Sequence, residues 1–260
     1  MSKNQPAAVA LVPARSGSKR IRRKNVRLLA GHPLIAYTIA AARDSGIFDA
    51  VVVSTDSEDI AAIARHYGAE TPFLRPEAMA GDHSPDIEWI SHALGELEGA
   101  GRTFGCFAIL RPTSPFRLPS TIGRAWDRFL AEPGADSLRA VERCSQHPGK
   151  MWVIRGRRLL PLLPFGPPGQ PWHSTPTQAL PEVWVQNASL EIAWTRVVTQ
   201  GHTIAGETIV PFETEGLEGF DLNQPEDWEL AGIHLARGDA VLPRVDREAP
   251  RELIDRMEIQ

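Results

Sequence analysis

The densest chemical signal in the sequence is Pro13-Ala14-Arg15-Ser16-Gly17-Ser18-Lys19-Arg20, continued by Arg23-Lys24-Asn25. Small flexible residues bring backbone N–H donors close together, and a cluster of cations accompanies them. Directly after a strand, that combination can cradle a chain of phosphates. The glycine spacings of the Gly-Lys-Ser/Thr nucleotide loop and of the dinucleotide fingerprint are both absent. A cationic turn of this type also occurs as a plain solvated charge run, and spacing alone leaves both readings open.

The elements that must hold this loop follow from periodicity. Ala7 to Pro13 is a short apolar run ended by Pro and a Gly/Ser-rich stretch, which predicts a strand buried on both faces. Pro33 to Arg43 has helical spacing and stops before Asp44-Ser45-Gly46; Asp49 to Ser54 is a second buried strand, and Asp56 to Tyr67, closed by Gly68, a second helix. Gly105 to Leu110 adds a strand, with helices predicted over Asp86 to Leu97 and Pro119 to Leu130. Strand-like Val183 to Trp194 and Glu207 to Pro211, then a helix over Pro225 to Arg237, complete the series. The alternation predicts an α/β protein with an open, mostly parallel sheet and helices on both faces.

Residues 146–181 break the pattern. Pro161, Pro164, Pro167, Pro168, Pro171 and Pro176 exclude regular core helices, and the segment is too long for an ordinary loop. It reads as an inserted arm, with 1–145 and 182–260 forming the main domain. Trp152, Trp172 and Trp184 in or beside it are either interface aromatics or a local mini-core. At helical or strand positions, Trp126, Trp152 and Trp228 are expected in the core.

A chain of 260 residues with 42% apolar content can bury one sizeable core. Its net charge of −4 offers no global attraction to nucleic acid or an anionic membrane, so anionic ligands must be met locally. No eighteen-residue apolar run is present, which excludes a membrane helix and gives a cytoplasmic location as the expectation. Cys106 and Cys144 have neither disulfide-framework nor zinc spacing and are expected as buried thiols. His66, His83, His147 and His173 lack metal-ligand spacing, and neither Ser84 nor Ser114 sits in a nucleophile elbow.

Several blocks, taken in order, resemble one family. Pro13 to Arg20 with Lys24-Asn25, then Gly31-His32-Pro33-Leu34-Ile35-Ala36-Tyr37-Thr38-Ile39, is similar to the opening of the acylneuraminate cytidylyltransferases, the CMP-sialic acid synthetases. Val53 to Ile60, Phe73-Leu74-Arg75-Pro76, Gly81-Asp82-His83-Ser84 and Leu110 to Arg117 resemble that family's later blocks, and Gly219 to Trp228 its C-terminal aspartate motif. The likeness spans roughly positions 8 to 237. It implies a Rossmann-like nucleotidyltransferase fold, CTP and a nine-carbon acidic keto sugar as substrates, Mg²⁺ dependence, and a homodimer in which the proline-rich arm serves dimerisation and covers the neighbouring site.

The resemblance also implies roles. Arg15, Ser18, Lys24 and Asn25 match positions that hold the triphosphate, with Ser16, Gly17 and Lys19 completing the loop; Arg75 and Ser84 match positions near base and ribose. Asp221 matches the magnesium-binding aspartate, and Lys150 a basic residue that meets the sugar acid. The chemistry needs such residues: attack of a sugar hydroxyl on the α-phosphorus places charge on phosphoryl oxygens and pyrophosphate, so positioning and charge neutralisation dominate. Arg15, Lys24 and Asp221 are therefore the catalytic candidates, although an aspartate before the Pro225 helix also fits an N-cap or turn.

The sequence departs from the family in several places. The second aspartate of the metal motif is Asn223, which keeps an amide oxygen but no charge. Arg111 stands where the family usually has Gln, adding a fixed positive charge that could answer an acidic acceptor. Thr177-Gln178 lacks the usual Arg before Gln, and Gln186-Asn187-Ala188-Ser189 replaces an Asn-Gly-Ala segment. Arg111, Lys150 and Gln178 are the acceptor-binding candidates. These departures keep two alternatives in view: a nucleotidyltransferase for a sugar phosphate, a phosphonate or another NTP, and a non-catalytic nucleotide-binding regulatory module.

Overall fold

The computed structural model describes residues 5–254. In chain order the elements are β1 (Ala8–Pro13), β2 (Leu28–Leu29), β3 (His32–Pro33), α1 (Leu34–Asp44), β4 (Ala50–Ser54), α2 (Glu58–His66) and α3 (Asp86–Gly99). They continue with β5 (Cys106–Ile109), α4 (Pro119–Leu130), β6 (Ser137–Arg143), β7 (Trp152–Arg155), β8 (Arg158–Pro161), β9 (Trp184–Trp194), α5 (Thr195–Thr199), β10 (Ile209–Glu213) and α6 (Pro225–Arg237).

The main sheet has the order β10-β6-β9-β5-β1-β4. β1 lies one strand in from the β4 edge, parallel to β4 in the register Leu11↔Val52 and to β5 in the register Ala10↔Ala108. β9 pairs antiparallel to β5, Phe107 opposite Ala193, so the sheet is mixed, with the parallel strands β5, β1 and β4 at one end. Alternation along β1 explains the two-sided burial. Ala8, Ala10 and Val12 pack with Ile35 and Ile39 of α1, Ile60 and Ile63 of α2, and Trp126 and Phe129 of α4. Val9 and Leu11 face the opposite way, onto Trp89, Ile90, Ala93 and Leu97 of α3 and Val198 of α5. Consecutive residues point to opposite faces, so a strand with helices on both sides must be apolar throughout.

The start of α6 is built from local signals. Pro225 occupies its first turn, Asp227 Oδ2 accepts the backbone N–H groups of Asn223 and Gln224 at 2.7 Å each, and Gly238 ends it at φ 76°. That left-handed terminus is one a residue with a Cβ adopts at a cost. Leu222 and Ala231 anchor this end of the chain in a third apolar cluster with Leu29, Leu34, Tyr37 and Phe116.

Two compact units result, one formed by residues up to Ala140 with those from Asn187 onward, the other by Val141–Gln186. The second contains the hairpin β7–β8, with Arg155 opposite Arg158 and Gly156 at φ 61° in the two-residue loop. Its small core surrounds Trp172, whose ring meets His147 and Phe165 edge-on at 5.6 and 5.3 Å. A Cβ at Gly166 would lie 2.9 Å from the Trp172 backbone nitrogen, which accounts for glycine there. Trp172 thus belongs to a mini-core. Trp152, expected in the core, is instead 40% exposed and tilts over His173 at 4.7 Å, because the hairpin that carries it is exposed along its length. Cys106 is buried as expected, but Cys144 is only partly so, its thiol donating to the Gln146 carbonyl. Among the described residues no helix is long and apolar enough to cross a membrane.

Candidate active site

The loop after β1 begins with the Ala14 N–H on the Ser54 carbonyl at 3.0 Å, tying it to the end of β4. A 3-10 turn at Lys24–Val26 follows, entered through Arg23 at φ 56°, a left-handed conformation unusual for a residue with a Cβ. Asn25 Nδ2 donates to the Arg15 carbonyl at 3.2 Å and closes the loop on itself. Arg15, Ser18, Lys19, Lys24 and Asn25 line a cavity of about 860 Å³.

Beside the loop lies the segment before α6. The Leu222 N–H donates to the Thr113 carbonyl at 2.9 Å, and the Leu222 carbonyl accepts from Lys24 Nζ at 3.1 Å. Burial pushes the Lys24 ammonium below the ordinary lysine range, Asp221 pulls it back up, and Arg20 and Arg15 add to the lowering. Asp221 Oδ2 accepts from the Asn223 amide, whereas its buried Oδ1 has no hydrogen-bond partner among the described residues. A buried carboxylate oxygen left unpaired costs free energy, so its position calls for a cation. Asp221 Oδ1 and the Asn223 amide oxygen are the donors at this end that could hold a hard divalent ion, which favours oxygen and usually keeps several waters.

The remaining wall is a chain of charges. Buried Arg75 donates Nε to Ser54 Oγ at 3.0 Å and Nη2 to the Ser54 carbonyl at 2.8 Å, and its guanidinium lies 4.9 Å over the Trp89 ring. Burial lowers Arg75 to about 10. Trp89 Nε1 donates to Asp86 Oδ1 at 2.7 Å. Arg111 Nη2 reaches both Asp86 Oδ2 at 2.6 Å and Glu191 Oε1 at 3.1 Å, while Glu191 also accepts from Arg139. Burial alone would lower Arg111, but Asp86 and Glu191 outweigh it and hold the guanidinium above its ordinary range. The charge expected to be free for an acidic acceptor is therefore balanced by two carboxylates.

Beneath this wall, fully buried Arg117 donates to the Arg111 carbonyl at 3.3 Å, to Thr38 Oγ1 at 2.9 Å and to the Ser189 carbonyl. Burial without a carboxylate beside it lowers Arg117 to about 9.

Of the residues singled out in the sequence, Arg15, Ser18, Lys19, Lys24, Asn25, Arg75, Ser84, Arg111, Asp221 and Asn223 all line the cavity. Ser16 and Gly17 do not. Ser16, expected to offer donors to phosphate, spends its N–H and hydroxyl on Asp56 at 2.8 and 2.6 Å. Gly17 has open space where a Cβ would be. Lys150 and Gln178 belong to the second unit, where Lys150 Nζ donates to the carbonyls of His173, at 3.2 Å, and Thr175. Asp82, Asp86 and Glu191 were missed. Asp82 stands in the quoted Gly81-Asp82-His83-Ser84 block, but acidic residues give no sequence signal in a site read for its cations.

A family model described as Cytidylyltransferase matches residues 9–113, which carry the loop, Arg75, the Asp82 segment and Arg111. The CMP-N,N'-diacetyllegionaminic acid synthase of Legionella pneumophila is 36% identical over 225 residues, covering 85% of this chain and 93% of that protein. The chain belongs to the cytidylyltransferase family. Within it, the N-acylneuraminate cytidylyltransferase of Escherichia coli is 50% identical over 109 residues, 42% of this chain and 25% of that protein. Among solved structures, a CMP:2-keto-3-deoxy-manno-octonic acid synthetase complexed with CTP shares the fold at TM-score 0.65 and 15% identity, covering 89% of this cytidylyltransferase and 99% of that chain. The fold of the 4-diphosphocytidyl-2C-methyl-D-erythritol synthase from Anaerococcus prevotii is similar at TM-score 0.60 and 12% identity, over 89% and 99% of the two chains.

Proposed function

We propose that this cytidylyltransferase joins CMP from CTP to a nine-carbon acidic keto sugar of the sialic, legionaminic or pseudaminic type, releasing pyrophosphate. The observation that carries the reading is one cavity lined by the loop cations and by Asp221, whose Oδ1 has no hydrogen-bond partner among the described residues, in a chain related along nearly its whole length to a CMP-legionaminic acid synthase.

A sugar hydroxyl attacks the α-phosphorus, forming a C–O–P linkage as the bond from α-phosphorus to the bridging oxygen breaks. The hydroxyl proton passes to solvent and the electron pair leaves on pyrophosphate. Arg15, Lys19 and Lys24 hold the β- and γ-phosphates and offset the charge that develops there. Arg75 and Ser84 contact base and ribose. Asp221, oriented by the Asn223 amide, is the proposed Mg²⁺ ligand, with Asn223 as a weaker second donor. When bound, Mg²⁺ supplies Lewis-acid polarisation of the phosphoryl oxygens.

The acceptor's carboxylate needs a cation other than a free Arg111, since Arg111 is already shared between Asp86 and Glu191. The second unit of a partner copy is proposed to supply it through Lys150, with Gln178 of the same unit as a further contact. The apolar hairpin supports a homodimer: Ile154 is 75% and Leu159 55% exposed. A cytoplasmic location is part of the same reading and accords with two unpaired cysteines, one of them partly exposed. The departures from the family pattern at Arg111 and Thr177 motivate a second reading in which the acceptor is a sugar phosphate or phosphonate.

Pyrophosphate release, measured with Mg²⁺, each of the four common NTPs and a panel of nine-carbon keto acids, sugar phosphates and phosphonates, tests the proposal. Release with CTP and a keto acid is expected. Release only with a phosphate or phosphonate acceptor would replace the first reading with the second.

A further inference from the structure

The segment 76–85 forms one rim of the cavity. It is anchored at its start by Arg75, whose N–H donates to the Thr55 carbonyl at 2.7 Å, and at its end by α3. Between these anchors its hydrogen bonds are mostly internal, as in Ser84 Oγ donating to the Ala78 carbonyl at 3.1 Å. Its middle reaches the phosphate loop through charge. Asp82 Oδ1 lies 2.8 Å from Arg15 Nη1, and Asp82 Oδ2 lies 2.5 Å from Lys19 Nζ. Arg15 Nη1 also donates to the Ala80 carbonyl at 3.3 Å.

A carboxylate bridging two cations through its two oxygens presents them with the charge and the oxygen spacing that a terminal phosphate would. We propose that Asp82 is an affinity-determining residue: in the free protein its carboxylate occupies the phosphate position between Arg15 and Lys19. It yields that position when the triphosphate enters and retakes it as pyrophosphate leaves. The inference rests on the proposed role of Arg15 and Lys19 as phosphate ligands.

Two physical arguments support the exchange. Without a ligand, Arg15, Lys19, Arg20 and Lys24 would face one cavity as like charges, and an internal anion relieves that repulsion. The pairs are also weak enough to give way, since the Lys19 side chain is 81%, Arg15 34% and Asp82 29% exposed. A polyphosphate carries more charge than one carboxylate and makes charge-assisted hydrogen bonds to the same groups. Competition from Asp82 lowers affinity for the incoming nucleotide, and it lowers affinity for the departing pyrophosphate by the same means, which favours product release.

The test is calorimetric titration of metal-free inorganic pyrophosphate into the full chain, for wild type, Asp82→Asn, Arg15→Ala and the double variant. Asparagine keeps the size and an acceptor oxygen of Asp82 while removing the charge. Asp82→Asn is expected to bind pyrophosphate about fivefold more tightly, the scale of releasing two part-exposed ion pairs. The gain should shrink when Arg15 is also removed. Equal or weaker binding by Asp82→Asn, with Arg15→Ala still weakening it, overturns the exchange and leaves the phosphate site standing. Unchanged binding by Arg15→Ala overturns both. A second measurement needs no variant: saturating wild type with pyrophosphate should speed amide hydrogen exchange across 77–84, and unchanged or slower exchange there contradicts the proposal.

Discussion

On the loop side of the cavity, Arg15 and Lys19 pair with Asp82 through side chains that remain 29–81% exposed, and Asp221 Oδ1 is left without a partner among the described residues. On the Arg111 side, Arg111 and Arg139 share a Glu191 that is only 8% exposed; Asp86, at 32% as open as Asp82, is held by both Arg111 and Trp89. Both sides are rich in charge, yet their commitments differ. Exposed pairs contribute little to stability and exchange readily; buried, multiply bonded pairs resist separation because a charge left alone in the interior is costly. On the proposed reading, the loop side trades protein partners for a ligand. The Arg111 side is arranged to hold shape, with Arg117 fixing the Arg111 carbonyl from below.

Substitutions on the two sides should therefore separate activity from stability. The largest effect is expected from Asp221→Ala, which should cut kcat by about a thousandfold while leaving the unfolding midpoint close to wild type, since it removes the proposed metal ligand. Near-normal turnover would remove Asp221 from the mechanism. Next comes Arg111→Ala, expected to cost roughly 2–3 kcal/mol in denaturant unfolding because Asp86 and Glu191 lose a shared partner. A stability loss below about 0.5 kcal/mol would show that the wall is not a structural network. Arg15→Ala should do the reverse, weakening CTP binding about tenfold with little change in stability, and Lys19→Ala, more exposed, no more than about threefold.

A pH-dependent effect is expected outside the cavity. Burial alone would raise the Glu218 carboxyl, but Arg124, the Glu215 N–H and the Thr121 hydroxyl together hold it below its ordinary 4.5. A depressed carboxyl stabilises the fold above its unfolded pKa and loses that contribution as pH falls through the lowered folded value. Glu218→Gln should thus be destabilised by roughly 1 kcal/mol at pH 7, with the gap closing below about pH 4 in parallel unfolding curves.

The sheet and the paired helices were legible wherever apolar periodicity met a strong stop. α4 and α6 have the predicted bounds, the latter because Pro225 and Gly238 mark both ends. β6 was not foreseen. Ser137-Leu138-Arg139-Ala140 alternates with a charged residue, and Arg139 is inward-facing only because Glu191, distant in sequence, meets it there. The β7–β8 hairpin was likewise missed, its apolar residues being exposed rather than arranged against a core. In the site, the cations and Asp221 were readable as residue types. Their counter-charges were not: Asp56 reaches Ser16 from 40 residues away, and Glu191 reaches Arg111 from 80. A sequence displays which charges exist but not which of them folding sets side by side.

On the proposed reading, one side of the cavity binds the triphosphate through the loop and through a metal held by Asp221. The most direct test of that reading is calorimetric titration of CTP, with and without Mg²⁺, into wild type and Asp221→Asn. The account predicts that Mg²⁺ tightens CTP binding in wild type, that metal-free CTP binds both proteins similarly, and that the Mg²⁺ effect is lost in the variant. An undiminished Mg²⁺ effect in Asp221→Asn would contradict it.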